Sequence, residues 1–316
     1  MVHEEEFHAK TLKGLEDLLE SELRTLGAGR TEKVNRGVNF YGGRALLYRV
    51  NLASRLALRV LLPVMRFEAG DRDALYRNVK KYDWSLHLDN KMTFTIDPVV
   101  HSPRFNNSQF VAQKVKDAIV DQFRERTHLR PSVDRRNPDL FINVHISGTR
   151  VTISLDSSGE SLHKRGYREG NFEAPLNEVL AAGMIMISGW NGDRPFLDPM
   201  CGSGTLATEA ALIAAGIPPG IFRKSFGFDR WKDFDRGLFE HVASGLRTEK
   251  EVKVPILARD ADPAAVAMTA RQLKRASLDG QVKVERMDFA SSPAMEGVTI
   301  IMNPPYGERM VAGDLD

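Results

Sequence analysis

One cysteine, Cys201, in 316 residues excludes an internal disulfide framework and fits a reducing compartment. No apolar run approaches the roughly 20 residues that a membrane-spanning helix needs. The opening Met1-Val2-His3-Glu4-Glu5-Glu6 is too acidic for a signal peptide, so a cytoplasmic protein is expected. There is no internal repeat, low-complexity tract or heptad run. What remains is an ordinary composition, 42% apolar and 27% charged, with chain enough for two domains.

The net charge of +2 conceals an asymmetry. Residues 1–172 carry 28 Lys and Arg against 22 Asp and Glu; the remainder carries 16 against 20. The stretch 101–150 is the richest, with nine basic and five acidic residues. Its arginines, with the basic residues just after it, make Arg104, Arg130, Arg135, Arg136, Lys164, Arg165 and Arg168 the candidates for an anionic partner, of which nucleic acid is the commonest. Solvated faces carry surpluses of this size too.

The front half alternates strand and helix patterns. Residues 7–11 read as a strand, and leucines from Leu15 to Leu26 recur at helical spacing up to Gly27. Residues 34–41 alternate as a strand, 44–60 read as a helix, and 58–67 read as a strand that Pro63 confines to an edge or a short length. Leu75 and Val79 mark another helix, completing a split βαβ layer. A strand over 92–100 and a polar loop lead to a helix where Phe110, Val111, Val115, Ile119 and Phe123 share an apolar face. Both phenylalanines are therefore expected in the core rather than stacked on bases. Leu140 to Ile146 and Val151 to Leu155 form a hairpin around Ser147-Gly148-Thr149. Residues 157–172, rich in Ser and Gly and holding Lys164-Arg165-Gly166-Tyr167-Arg168, read as a linker, solvated or touching a phosphate backbone.

Beyond the linker the pattern becomes helix-strand alternation, which implies a mostly parallel, Rossmann-like doubly wound α/β sheet. Its strands are expected at 195–197, 256–258, 282–284 and 298–302. The first ends in Asp198-Pro199-Met200-Cys201-Gly202-Ser203-Gly204-Thr205, directly before a helix. Glycines there permit close backbone approach, the helix start offers unpaired N–H groups, and Asp198 is an acceptor for an ammonium group. An amino-acid moiety needs both. Gly202 to Ala207 also matches the dinucleotide pattern G-x-G-x-x-A, but that pattern wants an acid about 20 residues on. Here Asp260 follows Gly204 by 56 residues. Asp260 can take two ribose hydroxyls on its two oxygens. Asp288 is placed for an adenine amino group, with Phe289 to cover the ring. Amino acid, ribose and adenine together fit S-adenosylmethionine.

The last strand breaks into Asn303-Pro304-Pro305-Tyr306. Prolines lack an N–H, so the local carbonyls stand as uncommitted acceptors, joined by the Asn303 amide oxygen and by a flat face on Tyr306. These features grip a planar group with an exocyclic NH2, although a plain strand exit uses the same residue types.

Four stretches then resemble, in order, the bacterial THUMP-domain 23S rRNA guanine-N2 methyltransferase family: Ala174-Pro175-Leu176-Asn177-Glu178, the loop from Asp198 to Thr205, Phe226-Gly227-Phe228-Asp229-Arg230-Trp231, and Asn303-Pro304-Pro305-Tyr306-Gly307-Glu308-Arg309. The resemblance implies a ferredoxin-like segment over 1–66, a THUMP RNA-binding domain over 67–156, the linker over 157–172 and a methyltransferase domain over 173–316. It implies that Pro175, Asn177 and Asp198 to Thr205 hold the cofactor, with Asp260 on its ribose and Asp288 on its adenine. Asn303 and the Pro304 carbonyl would accept from the guanine N2 amine, and Tyr306 would stack on the base. Ribosomal RNA is the implied partner, and a direct methyl displacement needs no metal. Asn-Pro-Pro-Tyr alone also occurs in adenine-N6 DNA and protein-glutamine methyltransferases, and an RNA-binding protein with a non-catalytic second half is a further alternative. A complete methyltransferase sheet needs strands beyond this motif, so the final strands are expected to be missing from this chain.

Overall fold

Alternating apolar positions draw the front of the chain into strands, and regular breaks set where they turn. The computed structural model describes residues 4–168, 175–246 and 250–304. They belong to two units, one drawn from Met1–Asn51, Ala57–Leu162 and Lys224–Val242, the other from Leu52–Leu56, His163–Arg223 and Ala243–Asp316.

The first unit runs β1 (Glu5–Lys10), α1 (Glu16–Thr25), β2 (Arg30–Val34), β3 (Gly37–Gly42), α2 (Arg44–Ala53), β4 (Arg59–Glu68), α3 (Arg72–Lys81), β5 (Thr93–His101), α4 (Ser108–Thr127), β6 (Ser132–Val133), β7 (Leu140–Ser147) and β8 (Arg150–Asp156). Its strands make one sheet in the order β2-β3-β1-β4-β8-β7-β5-β6. The boundary expected at 66/67 falls inside β4, which pairs with β1 through Arg59 to Leu61 and with β8 through Leu61 to Glu68. Pro63 therefore lies in a central strand, not at an edge. The register shifts between Pro63 and Met65, and a bulge is where a ladder tolerates a residue without an N–H.

Two further expectations fail for reasons of packing. Phe123 is buried with Val111, Val115 and Ile119, but Phe110, at the start of α4, is half-exposed, with the Arg72 guanidinium 4.0 Å over its ring. Residues 157–168 are also no solvated linker. Ser157 and Ser158 are fully buried, their hydroxyls donating to the Val60 carbonyl at 2.7 Å and to Asn51 Oδ1 at 2.7 Å. Small hydroxyls of this kind satisfy a buried turn that the composition alone marks as exposed.

The second unit contains α5 (Glu178–Ile187), β9 (Phe196–Asp198) and α6 (Thr205–Ala214). After an insertion that starts α7 (Arg236–Leu246) come β10 (Ile256–Asp260), α8 (Pro263–Arg275), β11 (Lys283–Arg286) and β12 (Thr299–Ile300). Its strands are all parallel, in the order β11-β10-β9-β12. Phe196, Ile256 and Ala258 are buried beneath α6, whose Ala207, Ala210 and Ala211 have no exposed surface. Small side chains let this helix approach its neighbours closely.

The insertion, residues 224–242, belongs with the first unit although its sequence lies within the second. Phe228 packs 4.7 Å from Tyr48 and stacks on Phe226 at 5.1 Å. Arg230 donates to the Asn137 and Pro138 carbonyls, and Lys232 to those of Ser85 and Leu88. Gly227 is the tight point, since a Cβ there would lie 2.3 Å from the Asp156 carbonyl oxygen. Gly227→Ala should cost about 2–4 kcal/mol through overpacking. Gly237→Ala, where the nearest neighbour would be an ordinary 3.5 Å away, should be neutral or gain up to about 1 kcal/mol. Urea midpoints of the two variants check the contrast; equal midpoints would show that Gly227 is not confined.

Candidate cofactor and substrate site

The strand order places the site. From β9 the chain crosses one way to β10 and β11 and later the other way to β12, so the ends of β9 and β12 flank a topological switch point, where open parallel sheets bind ligands. A cavity of about 610 Å³ opens there, lined by Asp198, Asp260 and Asp288 from three strand ends and by Asn303 and Pro304 from the fourth. The sequence spreads these residues over more than a hundred positions; the parallel ladder brings them to one edge.

Asp198 is the least ordinary of them. It is 1% exposed, and its Oδ1 has no hydrogen-bond partner among the described residues. Burial pushes its carboxyl up to about 7; a backbone hydrogen bond at Met200 opposes the shift and the charge of Asp260 adds to it. An acid in this state suits a cationic ligand group, which would restore the charged form. Cys201 lies beside it with its thiol pushed up to about 12, chiefly by burial, so no thiolate is at hand for nucleophilic chemistry.

The loop after β9 is held from outside. Cys201 N donates to the Arg259 carbonyl at 2.8 Å, Gly202 N to Asp260 Oδ2 at 2.8 Å, and Thr269 Oγ1 to the Gly202 carbonyl at 3.1 Å. Asp260 also accepts from Asp262 N through Oδ1 at 3.0 Å, and each oxygen keeps a lone pair for a ligand. Pro199, Cys201, Gly202, Ser203 and Thr205 line the cavity, with Pro175, Asp288 and Phe289. Phe289 is 46% exposed, an open ring at the rim.

Two expected cofactor residues do other work. Asn177 caps α5, its side chain accepting from Val179 N at 2.9 Å and Leu180 N at 3.2 Å, and it does not line the cavity. Gly204 lies in the left-handed region, φ 76°, and a Cβ there would meet Thr269 at 2.6 Å, so it serves the packing of α6 on α8. Pro305 and Tyr306 lie outside the described residues. Met200 and Leu176, which fall within the resembling stretches, also line the cavity, and so do Leu206, Ala264, Ala265 and Met268, which nothing in the sequence singles out. They are apolar residues at helix starts and loop ends, where periodicity marks only core.

Two candidate RNA contacts are likewise corrected. Arg165 is buried, pairing with Glu209 at 3.4 Å and donating to the Arg55 carbonyl at 2.6 Å. Arg168 is largely buried; it pairs with Glu178 at 3.1 Å and donates to the Leu176 carbonyl and the Thr205 hydroxyl. Both guanidiniums are spent inside the second unit, beneath the cavity wall. Arg104, Arg130, Arg135, Arg136 and Lys164 are exposed. Among the described residues no cluster of His, Cys, Asp and Glu could hold a metal ion, and no helix is long and apolar enough to cross a membrane.

Comparison with known proteins agrees with this architecture. Residues 165–314 match the model of the RMKL-like methyltransferase domain, 69–156 that of the THUMP domain, and 6–61 that of the RlmL ferredoxin-like domain. A Synechocystis protein named as an RNA methyltransferase is 40% identical over 308 residues, covering 96% of this chain and 80% of the relative. A ribosomal RNA large subunit methyltransferase K/L from Methylococcus capsulatus is 42% identical over 320 residues, 98% of this chain but 43% of the relative. The chain thus spans less than half the length of the K/L relatives it matches. Among solved structures, SMU.472, a protein named as a methyltransferase and crystallised with SAH, superposes with a TM-score of 0.87 at 29% identity, covering 98% of this chain and 83% of that one. A Listeria monocytogenes protein named as an N6-adenine-specific DNA methylase also gives 0.87 at 29%, covering 98% and 81%.

The Asp198 carboxyl makes a test of the site's electrostatics. Its folded value of about 7 lies above the ordinary 3.8, so its contribution to stability is full below about pH 4 and is lost as the pH rises through 7. Asp198→Asn should therefore match the parent near pH 4 and exceed it by about 1–3 kcal/mol at pH 8. Denaturation at the two pH values checks this; a variant less stable than the parent at pH 8 would refute the buried, unpaired carboxyl.

Proposed function

This chain belongs to the RMKL-like methyltransferase family, and we propose that it transfers a methyl group from S-adenosylmethionine to the exocyclic N2 amine of a guanine in 23S ribosomal RNA. One observation carries the reading: a buried carboxyl with one oxygen left without a partner, suited to an ammonium group, lines the same cavity as Asn303 and Pro304, suited to an amine. The residues present also fit the rest of the cofactor. Asp198 takes the ammonium, the first N–H groups of α6 face the carboxylate, Asp260 takes the ribose hydroxyls, and Asp288 with Phe289 takes the adenine.

When bound, the cofactor supplies an electrophilic methyl group on its sulfonium. The chain's own part is positioning and exclusion of water, and neither metal nor protein nucleophile is required. The Asn303 amide oxygen and the Pro304 carbonyl would accept the two N2 hydrogens and so direct the nitrogen lone pair at the methyl group; the new N–C bond replaces the methyl's C–S bond, whose electron pair stays with the departing thioether, and one N2 proton passes to water. Tyr306, outside the described residues, is the residue proposed to stack on the base. A base paired in a helix cannot present this edge, so the target nucleotide is flipped out or unpaired on binding.

The second reading is methylation of a DNA adenine amine, favoured by the name of the Listeria neighbour and by the shared Asn-Pro-Pro-Tyr motif; protein glutamine shares that motif too. Transfer of labelled methyl groups to undermodified 23S rRNA, duplex DNA and a glutamine-bearing protein substrate separates these readings. We expect label in the RNA, on guanine N2. Asn303→Ala should lower transfer by about 1,000-fold or more while changing cofactor affinity less than about threefold, since its contact forms with the reacting amine alone. Cofactor binding lost in parallel would show that Asn303 belongs to the cofactor and not to the substrate.

A further inference from the structure

Outside the cavity, the first unit carries an organised set of cations and rings on the paired helices α3 and α4. Arg72, Tyr76 and Lys80 recur every four residues along α3, and Phe110 and Lys114 do so along α4, so each set lies on one face. The Arg72 guanidinium sits 4.0 Å over the Phe110 ring, and the Lys114 ammonium lies 5.9 Å from Phe110 and 5.8 Å from Tyr76. Lys80 lies 5.6 Å from Tyr76 at the far end. Cations and rings thus alternate in a ladder across the two helices.

The ladder has a neutral end and a cationic end. At the first, Lys80 pairs with Glu125 at 2.6 Å and the Tyr76 hydroxyl donates to Asp121 at 2.8 Å. At the second, Arg72 and Lys114 make no ion pair among the described residues. Arg77 and Arg104 add to them, and both bear electrostatically on Asp71. The acids there are Asp71, whose carboxylate caps α3 by accepting from Asp73 N and Ala74 N, and Asp73 itself. Arg104 is tied down by donating to the Gly70 carbonyl at 3.3 Å. Four cations against two acids, one of them committed to the backbone, leave a positive surplus around two half-exposed rings.

Phosphates alone would need no flat groups. A guanidinium stacked on Phe110 keeps its outer face open to a base, and Lys114 between two rings is a point charge for the adjoining phosphate. A duplex backbone would use the charges and leave the flat groups idle. We infer that the α3–α4 face of the first unit docks single-stranded RNA, a base stacking on Arg72 over Phe110 and flanking phosphates falling to Lys114 and Arg104. This rests on the proposed RNA substrate and adds where the strand is held outside the cavity.

Fluorescence anisotropy with a labelled 12-nucleotide single-stranded RNA of mixed sequence, without cofactor, tests it on the full chain. Arg72→Gln with Lys114→Gln should raise Kd about tenfold and flatten the slope of log K against log salt by about 1, at roughly 0.7 for each single-strand phosphate that is no longer neutralised. Arg72→Lys, which keeps the charge and removes the plane, should weaken binding about threefold with the slope unchanged. Lys13→Gln with Lys91→Gln makes the same change of net charge at exposed sites elsewhere and should stay within about twofold. Equal losses in both double variants, tighter binding to the same sequence as a duplex, or an unaltered Kd in the first variant would each overturn the assignment. Because cofactor is absent, an inactive enzyme that still binds RNA through this face would count against the methyl-transfer reading and leave the docking face standing.

Discussion

A carboxyl taken out of water with one oxygen left without a partner is among the more expensive things a fold can contain, and the second unit is arranged around one. Asp198 ends a strand flanked on both sides by parallel neighbours, which fixes its backbone. The loop that follows cannot swing away to solvate it. Cys201 and Gly202 are bonded to the end of β10, and Thr269 of α8 holds the Gly202 carbonyl. The charge that bears on it, that of Asp260, is of the same sign. The group relieves itself by holding its proton up to about pH 7, and a cation in the cavity would favour the charged form instead.

The wall facing this carboxylate depends on the opposite arrangement, buried charges that are paired. Arg168 joins Glu178, the Leu176 carbonyl and the Thr205 hydroxyl. It thereby ties the wall residue Leu176 to the first residue of α6. One layer deeper, Glu209 accepts from Arg165 and from the Tyr167 hydroxyl at 3.1 Å. Glu178 is pushed up to about 7 by burial, with Arg168 pulling it down. Breaking such a set by removing one member strands the others, which gives the segment 163–168 its fixed path. Basic residues in a Ser- and Gly-rich stretch therefore serve the inside of the fold.

What can be read from the residues alone follows from this. Strands β7 and β8, the parallel strands of the second unit and Asp198, Asp260 and Asp288 at their ends are legible, because periodicity and strand-end placement are local in sequence. So is the meeting of the loop after β9 with Asn303 and Pro304 at one cavity. Arg165, Phe110 and Pro63 mislead because their surroundings are set by partners far along the chain: Glu209, Arg72 and the bulge opposite β8. The insertion of residues 224–242 is recognisable as a motif, but its packing on Tyr48 leaves no trace in its own spacing. Side-chain type predicts tendency, and whether an arginine ends exposed or buried is settled by what lies opposite it.

The glycines of the cofactor loop show how a correct pattern can carry the wrong ligand. Gly202 to Ala207 satisfies a dinucleotide signature letter for letter, and in that signature the glycines serve a tight turn and the approach of a pyrophosphate. Here Gly202, φ 50°, lines the cavity and would place a Cβ in open space, so the turn and not a neighbouring protein atom calls for glycine. Gly204 is needed because Thr269 stands 2.6 Å from where its Cβ would be. Neither glycine speaks for a diphosphate, and the buried Asp198 on the same cavity would repel one. The backbone freedom that a dinucleotide site uses for its ligand is used at Gly204 to bring α6 against α8.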